Sequence, residues 1–231
     1  MNMPNLTEMR NFFNNIASDY DKLIVDKSDA DMESKQLVAN FLPKHTETLI
    51  DFGIGTGLEL DSIFKKFPGI TVTGLDYSEN MLQILKVKYS NRNIRLHCES
   101  YLDYDFGHEQ YDAALSIKTL HHYDHDVKTS LYRRIHACLN ANGVYIECDK
   151  IAATQTEEDF HFAEYKCLKQ SQGLPDEYEC HYDTPCTLEN QTKMLFDAGF
   201  CNVREVWRSE YKPLLASHIA TGAIVILIAD K

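Results

Sequence analysis

One stretch of sequence decides the fold: Thr48–Leu49–Ile50–Asp51–Phe52–Gly53–Ile54–Gly55–Thr56–Gly57–Leu58. It predicts a short buried strand, a tight three-glycine turn and then an amphipathic helix. Because glycine has no Cβ, a ligand can approach this turn closely, and the following helix N-terminus offers unpaired N–H groups. A dinucleotide-binding turn would carry its third glycine where Leu58 stands. Here an acid, Asp51, precedes the first glycine by two residues instead.

A second acid follows the next predicted strand. Asp76 comes nineteen residues after Gly57, at the end of the strand-like run from Ile70 to Leu75. An acid at the end of a second strand can accept hydrogen bonds from both hydroxyls of a ribose. Ser78 is a good N-cap and predicts that the next helix begins just after it.

Strands and helices continue to alternate up to about residue 150. The later predicted strands run from Ile94 to Cys98, from Tyr111 to Ile117 and from Val144 onward, the last preceded by a turn over Leu139–Gly143. This alternation is typical of a parallel sheet with crossover helices.

The pattern of Asp51, Gly53, Gly55 and Gly57 resembles motif I of the class I S-adenosylmethionine-dependent methyltransferases. The run Leu120–His121–His122 after the fourth strand resembles an element common in the family's small-molecule members. The resemblance covers residues 45–150, where five elements occur in the family's order, and later only Ala198–Gly199–Phe200. It implies an α/β fold: a doubly wound, Rossmann-like sheet of seven strands in the order 3-2-1-4-5-7-6. Strand 7 would be antiparallel, with N-terminal helices and an insert after strand 5.

The resemblance also implies S-adenosylmethionine as the cofactor, with S-adenosylhomocysteine as its product. Asp76 would bind the ribose, while Tyr77 and Met81 would pack on the adenine. Ser100 stands where the family often has Asp, and its hydroxyl could still accept a bond from the adenine. The implied cofactor residues are Asp51, Gly53, Gly55, Gly57, Asp76, Tyr77, Met81, Ser100, Tyr101, Ser116 and Ile117. Taken alone, a glycine-rich turn is a weak signal and Asp76 could be a solvated acid; the order of the elements favours the cofactor interpretation.

Methyl transfer from a sulfonium requires the protein to align the acceptor, exclude water and remove a proton. His121 and His122 follow the fourth strand, at the rim where α/β sheets bind ligands, and histidine is the usual base near neutral pH. Glu147 and Asp149 end the fifth strand on one face and could hold a cationic acceptor or position a hydroxyl. These four residues are the candidate catalytic groups. Structural histidines and solvated acids are the alternative interpretation.

The tract from His121 to Asp126 also contains good metal ligands. Its members lie in one loop, whereas a closed metal site needs ligands from several elements, so no metal is predicted. Cys148 alternates to the opposite face from its two acidic neighbours and is expected in the core.

The predicted organisation is one methyltransferase domain, residues 1–231. Residues 1–42 form an N-terminal helical cover, 45–150 the cofactor-binding half, 151–186 a substrate-cover insert and 187–231 the C-terminal part of the sheet. The segment Phe12–Asp21 either folds over the active site or packs on the sheet edge. Candidate substrate contacts are Tyr20, Glu164, Tyr165 and His181. In the insert, Thr154 and Glu157 predict a capping box for a helix over 156–172, and Thr187 caps another helix.

Composition limits the function classes. The 231 residues are 44% hydrophobic, as expected of a globular protein, and the net charge of −12 argues against a nucleic-acid substrate. Seven cysteines without a C-x-x-C pair favour reduced thiols, and no signal peptide or membrane span is predicted. We therefore expect a cytoplasmic protein, monomeric or homodimeric, without a membrane partner.

The leading hypothesis is in-line methyl transfer from S-adenosylmethionine to a small amine or hydroxyl compound in a polar, net-acidic pocket. The alternatives are a tRNA- or protein-modifying methyltransferase, a non-catalytic S-adenosylmethionine-binding protein and a Rossmann-type dehydrogenase.

Overall fold

The structure is a computed structural model that describes residues 5–27, 29–210 and 222–231. Its strands form one seven-stranded sheet in the order 3-2-1-4-5-7-6. All neighbours are parallel except at β7, which runs antiparallel to both β5 and β6. The predicted fold class is therefore confirmed. The strands are β1 Thr48–Phe52, β2 Thr71–Leu75, β3 Ile94–His97, β4 Tyr111–Ile117, β5 Leu139–Ile151, β6 Cys201–Arg208 and β7 Ala223–Asp230.

The helices begin where the sequence places caps. Ser78 Oγ accepts a hydrogen bond from Met81 N, and Thr187 caps its helix in the same way. Thr154 accepts from the Glu157 amide, and the Glu157 carboxylate accepts from Ala153 N, one residue before the N–H that a capping box uses. The helices are α1 Met9–Ile16, α2 Tyr20–Lys27, α3 Asp29–Phe41, α4 Leu60–Lys66, α5 Glu79–Lys88, α6 His125–Cys138, α7 Gln155–Ser171 and α8 Leu188–Asp197, with 3-10 turns at Ala17–Asp19 and Leu120–His122.

Both faces of the sheet are buried, as expected for parallel strands flanked by helices. Along β1, Ile50 and Phe52 join a core with residues of α6 and α8. Leu49 points the other way, into a core with residues of α3, α4 and α5. Cys148 is fully buried in this second core, where alternation along its strand predicted it.

Strand β5 begins earlier than the sequence predicted. Leu139 pairs with Tyr111, and Val144 pairs with Ala113, so the neighbouring strand advances two residues while β5 advances five. The residues 140–143 are therefore accommodated by a register shift inside a strand, where the sequence predicted a separate turn.

The N-terminal helices and the segment after α7 meet above the carboxyl edge of the sheet. Met9 N donates to Glu179 O (3.0 Å), and His181 N donates to Thr7 O (2.9 Å). Asn14 of α1 accepts from the hydroxyl of Ser78 at 2.7 Å. The predicted N-terminal cover also includes residues 1–4, and the predicted C-terminal part includes 211–221, which lie outside the described residues. Within the described ranges, no helix has the length and apolar character needed to cross a membrane.

Candidate active site

The glycine-rich turn leaves open space at one position and is tightly packed at another. Gly53 and Gly55 both adopt positive φ, +70° and +55°. A Cβ on Gly53 would lie 2.4 Å from Thr119 Oγ1, whereas a Cβ on Gly55 would meet no atom within 4 Å. Gly55 therefore faces open space, while Gly53 allows the turn to approach the end of β4.

Asp76 is held against this turn by backbone amides. Its Oδ2 accepts from Gly55 N and its Oδ1 accepts from Ser78 N, both at 2.8 Å. Burial raises the pKa of Asp76 to about 6, although these hydrogen bonds oppose the shift. A carboxylate has about four lone-pair directions, so the two hydroxyls of a ribose can still be accepted.

A narrow cavity, here named the cofactor cavity, opens between the glycine turn and the ends of β2, β3 and β4. The sequence-predicted cofactor residues that line it are Gly53, Gly55, Asp76, Tyr77, Met81, Ser100, Tyr101 and Ile117. Asp51, Gly57 and Ser116 do not line it. Ser116 is hydrogen-bonded to the Tyr145 hydroxyl at 2.7 Å inside the core, and Gly57 O accepts from the Tyr89 hydroxyl at 2.8 Å.

Sequence reasoning missed part of this cavity's lining. Lys118 and Thr119 follow β4, Tyr123 follows the Leu120–His122 turn, and Glu179 comes from the insert. Lys118 has a φ of +54°, an uncommon value for a residue with a side chain. For Lys118 and Thr119, the signal available in the sequence was their position directly after a strand, because the carboxyl ends of parallel strands line ligand sites in α/β folds.

Asp51 lies just beneath the turn in a buried charge cluster. Lys35 Nζ is 3.6 Å from the Glu59 carboxylate, and both side chains are almost fully buried. Asp51 Oδ2 and Glu59 Oε1 have no hydrogen-bond partner. Burial and the Glu59 charge raise the pKa of Asp51 well above its ordinary value. Two orphaned carboxylate oxygens fit a cationic group of a ligand, and the α-amino group of a methionine moiety is one such group.

The turn after β4 is fixed by Asp149. Asp149 Oδ2 accepts from the backbone N–H groups of Leu120 and His121, both at 3.0 Å. The His121 ring contacts two carboxylates, with Nδ1 2.5 Å from Asp149 Oδ1 and Nε2 3.2 Å from Asp183 Oδ1. Burial alone would lower the pKa of His121, but these carboxylates outweigh it and the pKa is raised.

His122 has the opposite electrostatic environment. Burial, reinforced by the neighbouring His121 charge, lowers the pKa of His122 well below its ordinary value. His122 Nδ1 lies 2.9 Å from the carbonyl oxygen of Tyr182, a group that can only accept. Neutral His122 therefore carries its proton on Nδ1, which leaves Nε2 with a free lone pair.

His122 stands where three cavities meet. It lines the cofactor cavity and two larger cavities of about 660 Å³ each. The first, named the chamber, lies under α1 and α2 and includes Tyr20, His121 and His181. The second, named the side cavity, lies beside α7 and includes Tyr165. Tyr20 and His122 both line the cofactor cavity and the chamber, so these spaces adjoin.

Glu147 requires a correction. It shares a face of β5 with Asp149, and neither of these two predicted catalytic acids lines any of the three cavities. Its carboxylate instead accepts from the hydroxyl of Tyr132 (2.8 Å) and the amide of Gln191 (2.9 Å), in a buried network with Lys128 and Tyr145. The physical reason is that each carboxylate is held by other protein groups. Asp149 accepts from the turn after β4, and Glu147, about 7 Å further back along the strand, accepts from α6 and α8.

The predicted substrate contacts also lie in different places in the structure. His181 stacks on Phe12, with ring centroids 3.6 Å apart. Glu164 lines none of the three cavities and accepts a hydrogen bond from the Tyr182 hydroxyl at 2.5 Å. Tyr165 stacks on Tyr182. Glu164 and Tyr165 thus hold the segment whose carbonyl fixes His122.

Two groups of described residues have metal-ligand chemistry, with ligand atoms within 4.8 Å of one another: His121, His122 and Asp183, and His125, Glu158 and Cys186. In the first, the Lys150 ammonium contacts Asp183 and the raised pKa of His121 favours the imidazolium, which cannot coordinate. The side chains of this first group therefore take part in ion pairs instead of a metal site.

Comparison with known proteins finds similarity to methyltransferases over part of the chain. Residues 49–143 match the family model described as a methyltransferase domain. Malonyl-[acyl-carrier protein] O-methyltransferase of Priestia megaterium is 29% identical over 136 residues, which cover 58% of this chain and 49% of that protein. The Bacillus cereus protein of the same name is 27% identical over 124 residues, covering 51% and 44%. The chain thus spans about half the length of these curated relatives.

Solved structures share the fold at low sequence identity. A putative O-methyltransferase of Nostoc punctiforme has a TM-score of 0.68 at 17% identity, covering 97% of this chain and 62% of its own. A Thermotoga maritima S-adenosylmethionine-dependent methyltransferase, described as a possible histamine N-methyltransferase, has a TM-score of 0.64 at 16% identity, covering 96% and 99%. Human N-acetylserotonin methyltransferase in complex with S-adenosylmethionine has a TM-score of 0.63 at 12% identity, covering 96% and 56%.

Proposed function

We propose that the chain carries a class I, S-adenosylmethionine-dependent methyltransferase domain and that it transfers a methyl group to a small amine or hydroxyl compound. The observation that carries the proposal is the place of His122. This neutral base stands where the cofactor cavity meets the larger cavities, with its Nδ1 fixed by the Tyr182 carbonyl.

The residues around the cofactor cavity suit S-adenosylmethionine. Asp76 would accept from the ribose, and Tyr77 and Met81 would contact the adenine. The open space at Gly55 and the orphaned Asp51 oxygen suit the methionine moiety. When bound, the cofactor would supply a methyl group activated by its sulfonium, and S-adenosylhomocysteine would be the leaving group.

The protein's own part in the reaction is positioning and proton removal. His122 accepts the proton of the acceptor's O–H or N–H group on Nε2 as the nucleophile forms its new bond to carbon. The imidazolium formed then returns this proton to solvent. Asp149 and His121 act through the backbone turn that carries His122, and Phe13 and Tyr20 exclude water from above.

The role that we propose for each segment of the chain follows from these positions. Residues 45–150 bind the cofactor, while residues 1–42 and 151–186 cover the acceptor. The seven cysteines are all free thiols, which supports a reducing, cytoplasmic setting. The proposed oligomeric state is a monomer or a homodimer.

Two measurements test the function. Calorimetric titrations with S-adenosylmethionine, S-adenosylhomocysteine and NAD should show binding of the first two only. Incubation with methyl-tritiated S-adenosylmethionine and a fractionated cell extract should label the small-molecule fraction.

Label confined to protein or RNA would support a macromolecular acceptor instead. The curated relatives are named for a malonyl group attached to an acyl-carrier protein, which is an acceptor of that class. Binding of NAD without S-adenosylhomocysteine would overturn the proposal.

A further inference from the structure

We propose that the methyl acceptor is an uncharged, largely apolar molecule with one ionisable O–H or N–H group, held in the chamber beside His122. The inference rests on the proposed function and names the substrate class of the same site. It replaces the net-acidic pocket that the sequence predicted.

The walls of the chamber are mainly apolar. Phe12, Phe13 and Ile16 of α1 line it together with Leu23 and Ile24 of α2. Leu23 is 49% exposed although it lines the chamber, whereas Ile24 is only 7% exposed. An apolar acceptor would cover such surface and remove it from water, which favours binding.

The charged groups that line the chamber already face opposite charges. Lys118 forms an ion pair with Asp31, and Lys150 forms one with Asp183. His121 lies between Asp149 and Asp183. A charged acceptor would have to break one of these pairs or stay buried without a partner, and either event is costly. The paired charges therefore discriminate against ionic acceptors.

The chamber has polar side chains at the end that adjoins the cofactor cavity. His122 and Tyr20 line both the chamber and the cofactor cavity. His181, stacked on Phe12, presents a planar surface at the wall. An acceptor with its apolar part against α1 and α2 would present its O–H or N–H group to His122. A planar ring suits this arrangement, because ring faces stack on the His181–Phe12 pair.

The side cavity provides the competing prediction. It includes Lys166, Lys169, Asp176 and Glu177, and it also reaches His122. A charged acceptor would be expected there and not in the chamber. Probes that share one ring system and differ in the charge of their substituent can therefore distinguish the two spaces.

The test measures binding of 2-naphthol, 2-naphthoate and 2-(aminomethyl)naphthalene to the protein saturated with S-adenosylhomocysteine. The neutral 2-naphthol should bind at least tenfold more tightly than either charged analogue at pH 7. Equal or tighter binding of a charged analogue, or no binding of 2-naphthol, overturns the inference.

Two variants of α2 locate the probe. Leu23→Asp puts a charge into the chamber wall, while Val25→Asp puts one on a neighbouring side chain that is 55% exposed and lines none of the three cavities. Leu23→Asp should weaken 2-naphthol binding at least tenfold, Val25→Asp by less than twofold, and neither should change S-adenosylhomocysteine affinity beyond threefold. Equal effects of the two variants would contradict the location.

Failure of this inference can be distinguished from failure of the proposed function. If tritium from the labelled cofactor enters only ionic small molecules, methyl transfer stands and the neutral-acceptor inference falls. If S-adenosylhomocysteine does not bind at all, the function itself falls.

Discussion

The imidazole of His121 and the carboxylate of Asp149 join the ends of two adjacent strands, with Nδ1 2.5 Å from Oδ1. The same carboxylate accepts the backbone N–H groups of Leu120 and His121. One buried acid therefore fixes both the ring and the turn, and the turn places His122 beside the cofactor cavity.

This pair should make stability depend on pH. Asp149→Asn leaves His121 without its main counter-charge, so we expect a loss of about 3–5 kcal/mol in unfolding free energy near pH 6. Because the pKa of His121 is raised on folding, its stabilisation is complete below about pH 6.5 and declines as pH rises through the folded pKa. Urea denaturation from pH 6 to 9 should show a shallower decline in the variant.

The control for this experiment is Asp197→Asn, which removes an exposed ion pair with Lys193. It should change stability by less than about 1 kcal/mol at every pH. The same pH slope in Asp149→Asn and in the wild type would show that His121 does not titrate against Asp149.

Asp76 should dominate cofactor affinity. Asp76→Ala removes a charged hydrogen-bond acceptor and should weaken S-adenosylhomocysteine binding by about 1.5–3 kcal/mol in calorimetric titration. Glu79→Ala, at an exposed position in the same region, is the matched control and should bind normally. An unchanged dissociation constant for Asp76→Ala would exclude this residue from ribose binding.

Gly55→Val should abolish cofactor binding while the protein still folds. The Cβ of the new side chain would enter space that is open in the structure, with no protein atom within 4 Å, although the positive φ adds about 1–3 kcal/mol of strain. Gly69→Val is the control, because Gly69 also borders open space but lies away from the cofactor cavity. Circular dichroism checks folding, and normal binding by a folded Gly55→Val protein would refute the assignment of this turn.

His122→Ala should lower methyl transfer by about 10²–10⁴-fold, the usual contribution of a general base. S-adenosylhomocysteine affinity should stay within about threefold, because the ring faces the acceptor. His136→Ala, a half-buried histidine of α6 away from the cavities, serves as the control. Turnover of the labelled small-molecule fraction is the measurement, and wild-type turnover in His122→Ala would remove the base from the mechanism.

Glu147→Gln should leave turnover within about twofold of the wild type. The carboxylate is buried among Tyr132, Tyr145 and Gln191, so its replacement should change thermal stability and not chemistry. Steady-state kinetics and thermal melting on the same preparation separate the two effects. A large fall in turnover with an unchanged melting temperature would restore Glu147 to the acceptor site.

Local sequence was enough for the cofactor half of the molecule. The glycine turn, Asp76 and the helix cap at Ser78 follow one another within single βα units, and each needs only its own neighbours to adopt its structure. The acceptor side was harder to predict, because its residues come from α1, the end of β4 and the insert. Glu147 shows the limit: alternation gave its face correctly, but not its depth beneath the sheet edge.

The sequence by itself determined the alternation of strands and helices, the caps of the helices and the turn beside the cofactor cavity, since these depend on short-range periodicity and on glycine's freedom at positive φ. The order of the strands in the sheet was implied by the family resemblance. Only the tertiary structure decided the charge state of the acceptor site. Asp183 and Asp31 reach His121 and Lys118 across more than 60 residues of chain, and that pairing turns a segment rich in charges into a chamber with apolar walls. Ionic interactions depend on distance in space, which a linear sequence does not contain.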